Sequence, residues 1–132
     1  MCLLLPAPFV SAQPNLIASQ VSPSAWFVEG ASALGTSASR NCISNAGFVV
    51  TATGVVVIDA LGSPQLARDL MAKVRRVSYL RETMGKAARE MEPFDEAYAR
   101  TDWSRFERLP LFRAANRMNA YNTYLLMERE DK

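Results

Sequence analysis

Val55-Val56-Val57-Ile58-Asp59-Ala60-Leu61-Gly62-Ser63-Pro64 is the stretch on which the fold turns. Its first four residues are an unbroken β-branched run, the composition of a strand buried on both faces. Asp59 closes that run, and from there the period changes. Ser63 carries the hydroxyl of a helix N-cap, and Pro64, which lacks an N–H, suits the first helical position. Leu66, Leu70, Met71 and Val74 then recur along one helical face, with Arg68, Asp69, Lys73 and Arg75 mostly elsewhere. Lys73, Arg75 and Arg76 fall in the last turn, where cations favour the helix dipole. A strand therefore runs into an amphipathic helix over residues 63–77.

Working back from that junction, Thr51-Ala52-Thr53-Gly54 has the polar, glycine-containing character of a hairpin turn. Residues 42–51, with Ile43, Phe48, Val49 and Val50 around Gly47, read as the strand before it, and Cys42 as a small half-buried hydrophobe in that strand. Residues 31–40 are small and polar and form a loop. Ala25-Trp26-Phe27-Val28-Glu29 makes a short strand ended by Gly30. Residues 13–24 are polar and proline-punctuated, an extended leader. In residues 1–12, Leu3-Leu4-Leu5 and Phe9-Val10 form an apolar stretch and Val10-Ser11-Ala12 places small residues at a cleavage position, as at the end of a secretory signal. No lysine or arginine precedes the stretch, and Pro6 and Pro8 interrupt it. A working signal implies a periplasmic or secreted protein; without one the chain stays in the cytoplasm.

Forward from the first helix, Leu80, Met84, Ala87, Ala88 and Met91 space as a second amphipathic helix that stops near Pro93. Residues 94–99 add a helical turn, Asp102 caps a turn holding Trp103 and Phe106, and residues 111–127 carry Phe112, Ala115, Met118, Leu125 and Leu126 at helical spacing. The expected class is α+β: short antiparallel strands in the N-terminal half, then amphipathic helices. The chain divides into a possible signal remnant (1–12), a leader with three strands and a helix (13–77), and a helical C-terminal segment (78–132).

A chain of 132 residues supports one domain, and 49% hydrophobic against 21% charged residues is a globular balance that argues against wholesale disorder. The net charge of +2 comes from interspersed signs, which gives no footprint for nucleic acid. No stretch approaches the ~20 apolar residues of a membrane span. Histidine is absent, which removes the commonest metal ligand and the usual general base near neutral pH. Cys2 and Cys42 form no metal-type pair and close one disulfide at most.

The remaining chemistry is thin. A zinc site needs three or four converging Cys, His, Asp or Glu ligands, and Asp59 is the best-placed acid but has no visible co-ligand. Glu92, Asp95 and Glu96 around Pro93 are read as a solvated acidic loop rather than an acid/base pair. Ser44, Ser63 and Ser104 have no histidine to activate them. Gly30 and Gly35 lack the lysine of a phosphate loop. Trp103, Phe106, Phe112, Tyr121 and Tyr124 interleave with Arg100, Arg105, Arg108, Arg113 and Arg117, a pattern read first as core packing beneath solvated arginine and only second as nucleic-acid binding. No residue is assigned a catalytic, cofactor-binding or metal role.

Two blocks carry a resemblance. The first runs from Trp26-Phe27-Val28-Glu29-Gly30 through Asn41-Cys42-Ile43-Ser44-Asn45-Ala46-Gly47-Phe48-Val49-Val50 to Gly54-Val55-Val56-Val57-Ile58-Asp59-Ala60-Leu61-Gly62. It resembles the opening of metallo-β-lactamase-fold hydrolases, in particular their periplasmic quinoprotein-relay or cyclase-like branch. The second, Glu92-Pro93-Phe94-Asp95-Glu96-Ala97-Tyr98 through Asp102-Trp103-Ser104-Arg105-Phe106 to Asn119-Ala120-Tyr121-Asn122-Thr123-Tyr124, is similar to the C-terminal tail of that branch. The resemblance implies an αββα sandwich and zinc-activated water for hydrolysis. It also implies a histidine-rich HxHxDH segment between the blocks, where Val77 here passes directly to Ser78. Asp59 matches the strand end ahead of that motif, not a ligand within it. The expectation is an internally deleted family member without zinc or hydrolase activity, its strand edges open to self-association. The alternative is a small protein-binding module that uses the C-terminal helices.

Overall fold

A computed structural model describes residues 16–32, 34–37, 40–109 and 112–130. Among them, strands β1 (Ser19–Ser22), β2 (Ala25–Val28), β3 (Ala46–Val50) and β4 (Val55–Ile58) precede helices α1 (Pro64–Arg89), α2 (Phe94–Arg100) and α3 (Phe112–Glu130). The strands form one antiparallel sheet in the order β1-β2-β3-β4, so the α+β class read from the sequence holds. The stretch assigned to a signal remnant lies outside the described residues.

Strand β1 sits where a leader was expected. All four of its residues are exposed, so no alternation of apolar and polar residues betrays it. Its pairing comes from the Pro23-Ser24 turn, which returns the chain so that Gln20 faces Trp26 and Ser22 faces Ala25, with a register shift between them. Strand β3 starts at Ala46 rather than at 42. The residues before it are held as a loop: Ala31 N–H donates to Cys42 O at 2.7 Å, and Gly30 N–H donates to the Asn45 side chain at 2.9 Å. Gly30 is needed there, because a Cβ on it would lie 2.3 Å from the Ser44 carbonyl oxygen. Cys42 is half-buried against the sheet core, as read, but in this loop rather than in a strand.

The hairpin at Thr51–Gly54 forms as read, closed by Thr51 N–H donating to Gly54 O at 2.8 Å. The strand that follows does not have the burial its composition suggested. Rather than buried on both faces, β4 is the outer strand of the sheet, with Val56 56% and Ile58 60% exposed. A β-branched run reports strand propensity, whereas burial depends on what packs against it.

Packing is one-sided. Ala46, Phe48 and Val50 alternate onto the face covered by Leu66, Leu70 and Val74 of α1, with Val28 and Leu16 completing the cluster. Trp26 and Phe48 are directly paired across β2 and β3, and their rings stack 5.3 Å apart. A second cluster, Leu80, Met84, Ala87, Ala97 and Ala120, joins the rest of α1 to α2 and α3.

The two helices expected on either side of Val77 are a single helix of 26 residues. Ser63 caps it as read, its hydroxyl accepting from Leu66 N–H at 3.3 Å, with Pro64 in the first turn. No Gly or Pro lies between Arg75 and Leu80, and the two apolar stripes are in phase. On an ideal helix Leu66, Leu70, Val74, Val77, Leu80, Met84, Ala87 and Ala88 fall within an arc of roughly 140°. Near its end Gly85 lets Met127 of α3 approach; an added Cβ would meet that side chain at 3.1 Å. No helix among the described residues is long and apolar enough to cross a membrane.

Helix α1 terminates in a Schellman motif: Glu92 N–H donates to Ala87 O at 2.9 Å and Met91 N–H to Ala88 O at 3.1 Å. The motif requires a left-handed residue, and Met91 takes that place at φ 54°, with its side chain 87% exposed. A Cβ in that conformation costs roughly 1–2 kcal/mol. Met91→Gly is therefore expected to stabilise the chain by about 1 kcal/mol, after allowing for glycine's greater freedom when unfolded. Denaturant unfolding of the two proteins measures it; a destabilised variant would contradict the assigned helix end.

Candidate functional site

The acidic residues singled out for chemistry are occupied by structure. Asp59 is exposed at φ 62°, and its Oδ1 accepts from Leu61 N–H at 2.6 Å, an Asx turn that leads β4 towards α1. Glu92 accepts from Arg100 Nε at 2.5 Å and also pairs with its Nη2, while Asp95 pairs with Arg117. The hydrogen bond from Arg100 holds the Glu92 carboxyl below its ordinary value. Glu96 is exposed. Glu92 and Asp95 thus face different arginines, and the three acids do not converge on one another. Among the described residues no group of three or more Cys, His, Asp or Glu is placed to hold a metal ion.

The candidate nucleophiles and glycines are likewise committed to the fold. Ser63 is the α1 cap, and Ser104 N–H donates to Asp102 Oδ1 at 2.9 Å. Ser44 lies in the loop against Gly30. Gly30 and Gly35 belong to the connection between β2 and β3, not to a turn that opens a helix.

The aromatic residues of the C-terminal half form a cluster. Phe94 packs on Tyr98, Tyr121 and Tyr124, and Tyr98 on Trp103, with ring centroids 4.9–5.8 Å apart. Polar tips are bonded within it: Trp103 Nε1 donates to Tyr98 O at 3.0 Å, Tyr79 OH to Asp102 O at 2.7 Å and Tyr124 OH to Glu92 O at 2.9 Å. Arg117 lies over Phe94 and Tyr98, and Arg105 over Tyr79 and Phe106. The rings pack on one another as a core, and the tips of Tyr79, Trp103 and Tyr124 are bonded to backbone carbonyls.

Unspent chemistry sits at the middle of α1. Asn116, fully buried, donates Nδ2 to Tyr98 OH at 3.2 Å and accepts from Arg76 Nη2 at 3.5 Å, the outer limit of a hydrogen bond. Arg76 Nε and Ser78 Oγ are buried with no hydrogen-bond partner. Burial lowers the pKa of Arg76, and burial followed by repulsion from Arg76 lowers that of Lys73, against a smaller raising pull from Asp69. Asp69 is itself paired with Arg40 at 2.5 Å. The orphaned atoms flank the passage from Val77 to Ser78.

Two surfaces are open. The sheet face turned away from α1 exposes Phe27, Val56 and Ile58. A groove of about 500 Å³ lies between the β1–β2 hairpin and α3, lined by Gln20, Val21, Pro23, Asn122, Leu125, Leu126 and Arg129 among others. Arg81 bridges the elements around it, donating to Pro23 O at 2.7 Å and to Glu130 at 2.9 Å.

Comparison with known proteins gives no match. No family model, no curated protein and no solved structure matches the chain.

Sequence reading found neither the orphaned pair nor the groove. The groove needs β1, which has no apolar pattern, and the orphans need the burial that only three-dimensional packing imposes. Ser78→Ala removes a hydroxyl that is buried without a partner and introduces the best helix former. It is expected to raise stability by about 1 kcal/mol, read as the shift in denaturant midpoint. A loss of stability would mean that the hydroxyl is bonded.

Proposed function

We propose that the chain is an internally deleted relative of the metallo-β-lactamase-fold hydrolases that has lost zinc and hydrolysis and keeps the two ends of the scaffold. The observation that carries this reading is the orphaned pair Arg76 Nε and Ser78 Oγ, on either side of the point where the histidine-bearing segment of the resemblance is missing. Buried polar groups are normally satisfied, and each one left bare costs roughly 1–3 kcal/mol. Two of them at the joint fit a seam between segments that once had other neighbours. The one-sided sheet adds support: a strand meander covered by helix on one face and bare on the other corresponds to half of an αββα sandwich.

On this reading the chain takes no cofactor, binds no nucleic acid and self-associates through its open strand edges. It is exported where residues 1–12 act as a signal and is cytoplasmic where they do not. A second reading, a small module that binds a protein through the C-terminal helices, is favoured by the groove beside α3, whose Val21, Leu125 and Leu126 offer apolar anchors under Arg129.

Zinc content decides the first reading. After incubation with zinc and exhaustive dialysis, the purified chain is expected to hold far less than one equivalent of metal by mass spectrometry and to hydrolyse neither β-lactam nor thioester substrates. One-to-one retention with hydrolysis would overturn it.

A further inference from the structure

The outer strand β4 has no pairing partner on its free side among the described residues. Its hydrogen-bonding phase follows from the hairpin. Thr51 and Gly54 are a hydrogen-bonded pair, since Thr51 N–H reaches Gly54 O at 2.8 Å. In an antiparallel ladder such pairs alternate. With Val50 opposite Val55, Val49 opposite Val56 and Phe48 opposite Val57, the Val56 and Ile58 backbones bond inward to β3. The N–H and C=O groups of Val55 and Val57 therefore point out of the sheet.

Sheet edges are ordinarily blunted by lysine, proline, a bulge or a covering element. From Thr51 to Ile58 the chain has no charged residue and no proline, and the β3–β4 register has no shift. The opposite edge is different. Strand β1 carries a register shift, is followed by Pro23, and has the carbonyl of Pro23 taken by Arg81. One edge is blunted and the other is not.

We infer that β4 pairs antiparallel with β4 of a second copy of this chain, about a two-fold axis through Val56, to give a continuous eight-stranded sheet. The phase of the edge admits only registers in which outward-pointing residues face one another, and of these the one centred on Val56 pairs both Val55 and Val57 within the strand residues Val55–Ile58. With Val56 opposite its own mate, Val55 lies opposite Val57 of the other copy, and both have outward-pointing N–H and C=O groups, so they exchange hydrogen bonds in both directions. Gly54 lies opposite Ile58 of the other copy, on the bare face of the sheet, where a residue without a side chain meets a large one. The two exposed patches of Phe27, Val56 and Ile58 become continuous across the axis. Because β1 is blunted, pairing stops at two copies, and the closed two-fold contact does not propagate into a fibre.

This inference deepens the self-association named above but does not depend on the family assignment. A chain that dimerises and also retains zinc keeps the dimer and loses the hydrolase-relic reading. Sedimentation velocity of the full chain is expected to give a species of twice the 14.6 kDa chain mass; a monomer, or polymers beyond the dimer, overturns the inference.

Val56→Lys and Val56→Glu each set like charges against each other at the axis, while in the monomer the side chain is exposed. Each variant alone is expected to raise the dissociation constant at least about tenfold, and an equimolar mixture of the two to restore the dimer. If either variant alone still dimerises as the parent does, or if the mixture stays monomeric while both are folded by circular dichroism, the register is wrong. Val57→Pro gives an independent reading, because it removes an N–H that β3 does not use. It is expected to be a folded monomer, and a folded Val57→Pro dimer would also overturn the inference.

Discussion

The phase of one apolar stripe along α1 is the constraint on which the rest depends. Leu66, Leu70 and Val74 close the sheet core, and Leu80, Met84 and Ala87 belong to the helical core. These two clusters share no buried residue, and Val77, between them, still packs on the sheet side. A helix of 26 residues is about 39 Å long at 1.5 Å per residue. It is long enough to serve both cores only because its apolar positions keep one face throughout. A shift of one residue between Val77 and Ser78 would rotate the second stripe by about 100° and expose Met84 or Ala87. Polar ties reinforce the same arrangement, above all Arg81, which joins the middle of α1 to the β1–β2 turn and to the end of α3.

The same continuity leaves a deficit. A helix laid over one face of a four-stranded sheet leaves the other face bare, and the remaining helices cluster with the C-terminal half of α1. The bare face carries Phe27, Val56 and Ile58, and its border strand is β-branched and uncharged. At the crossover itself the packing buries Arg76 Nε and Ser78 Oγ without partners.

Much of this was legible in the sequence where local chemistry dictates it. The Ser63-Pro64 helix start, the Thr51–Gly54 hairpin, the short α2 and the long α3 all follow from caps, turn residues and apolar spacing. Strand β1 was not legible, because an exposed edge strand such as Ser19–Ser22 needs no apolar alternation. The burial of β4 was misread, since Val55–Ile58 announces a strand but says nothing of what covers it. The break expected near Val77 came from reading Lys73, Arg75 and Arg76 as a last turn and the stripe from Leu80 as a separate helix; the two stripes are in phase with no Gly or Pro between them, and a single helix forms. At the candidate sites, Asp59 accepts a backbone N–H at the end of its strand and the aromatic residues pack on one another as read, but the acids around Pro93 are not a solvated loop: Asp95 and Glu96 open α2, and Glu92 and Asp95 are ion-paired with Arg100 and Arg117. The orphaned pair lay beyond sequence reasoning, because partnering depends on which atoms tertiary packing seals from water.

The aromatic cluster shows why a basic, ring-rich C-terminal half does not by itself imply a nucleic-acid surface. Arg105 and Arg117 lie over ring faces, the Tyr79 and Tyr124 hydroxyls donate to backbone carbonyls, and Arg100 and Arg117 pair with carboxylates. The open surfaces lie elsewhere, at the bare sheet face, the β4 edge and the groove beside α3. All of it presupposes that α1 crosses from one core to the other without a break. Native-state hydrogen exchange across residues 74–82 tests this most directly. An unbroken helix predicts that the amides of Val77, Ser78 and Tyr79 are protected to the same degree as those of Val74 and Thr83. Rapid exchange confined to those three residues, with protection on both sides, would show two helices meeting at a hinge and would contradict the account.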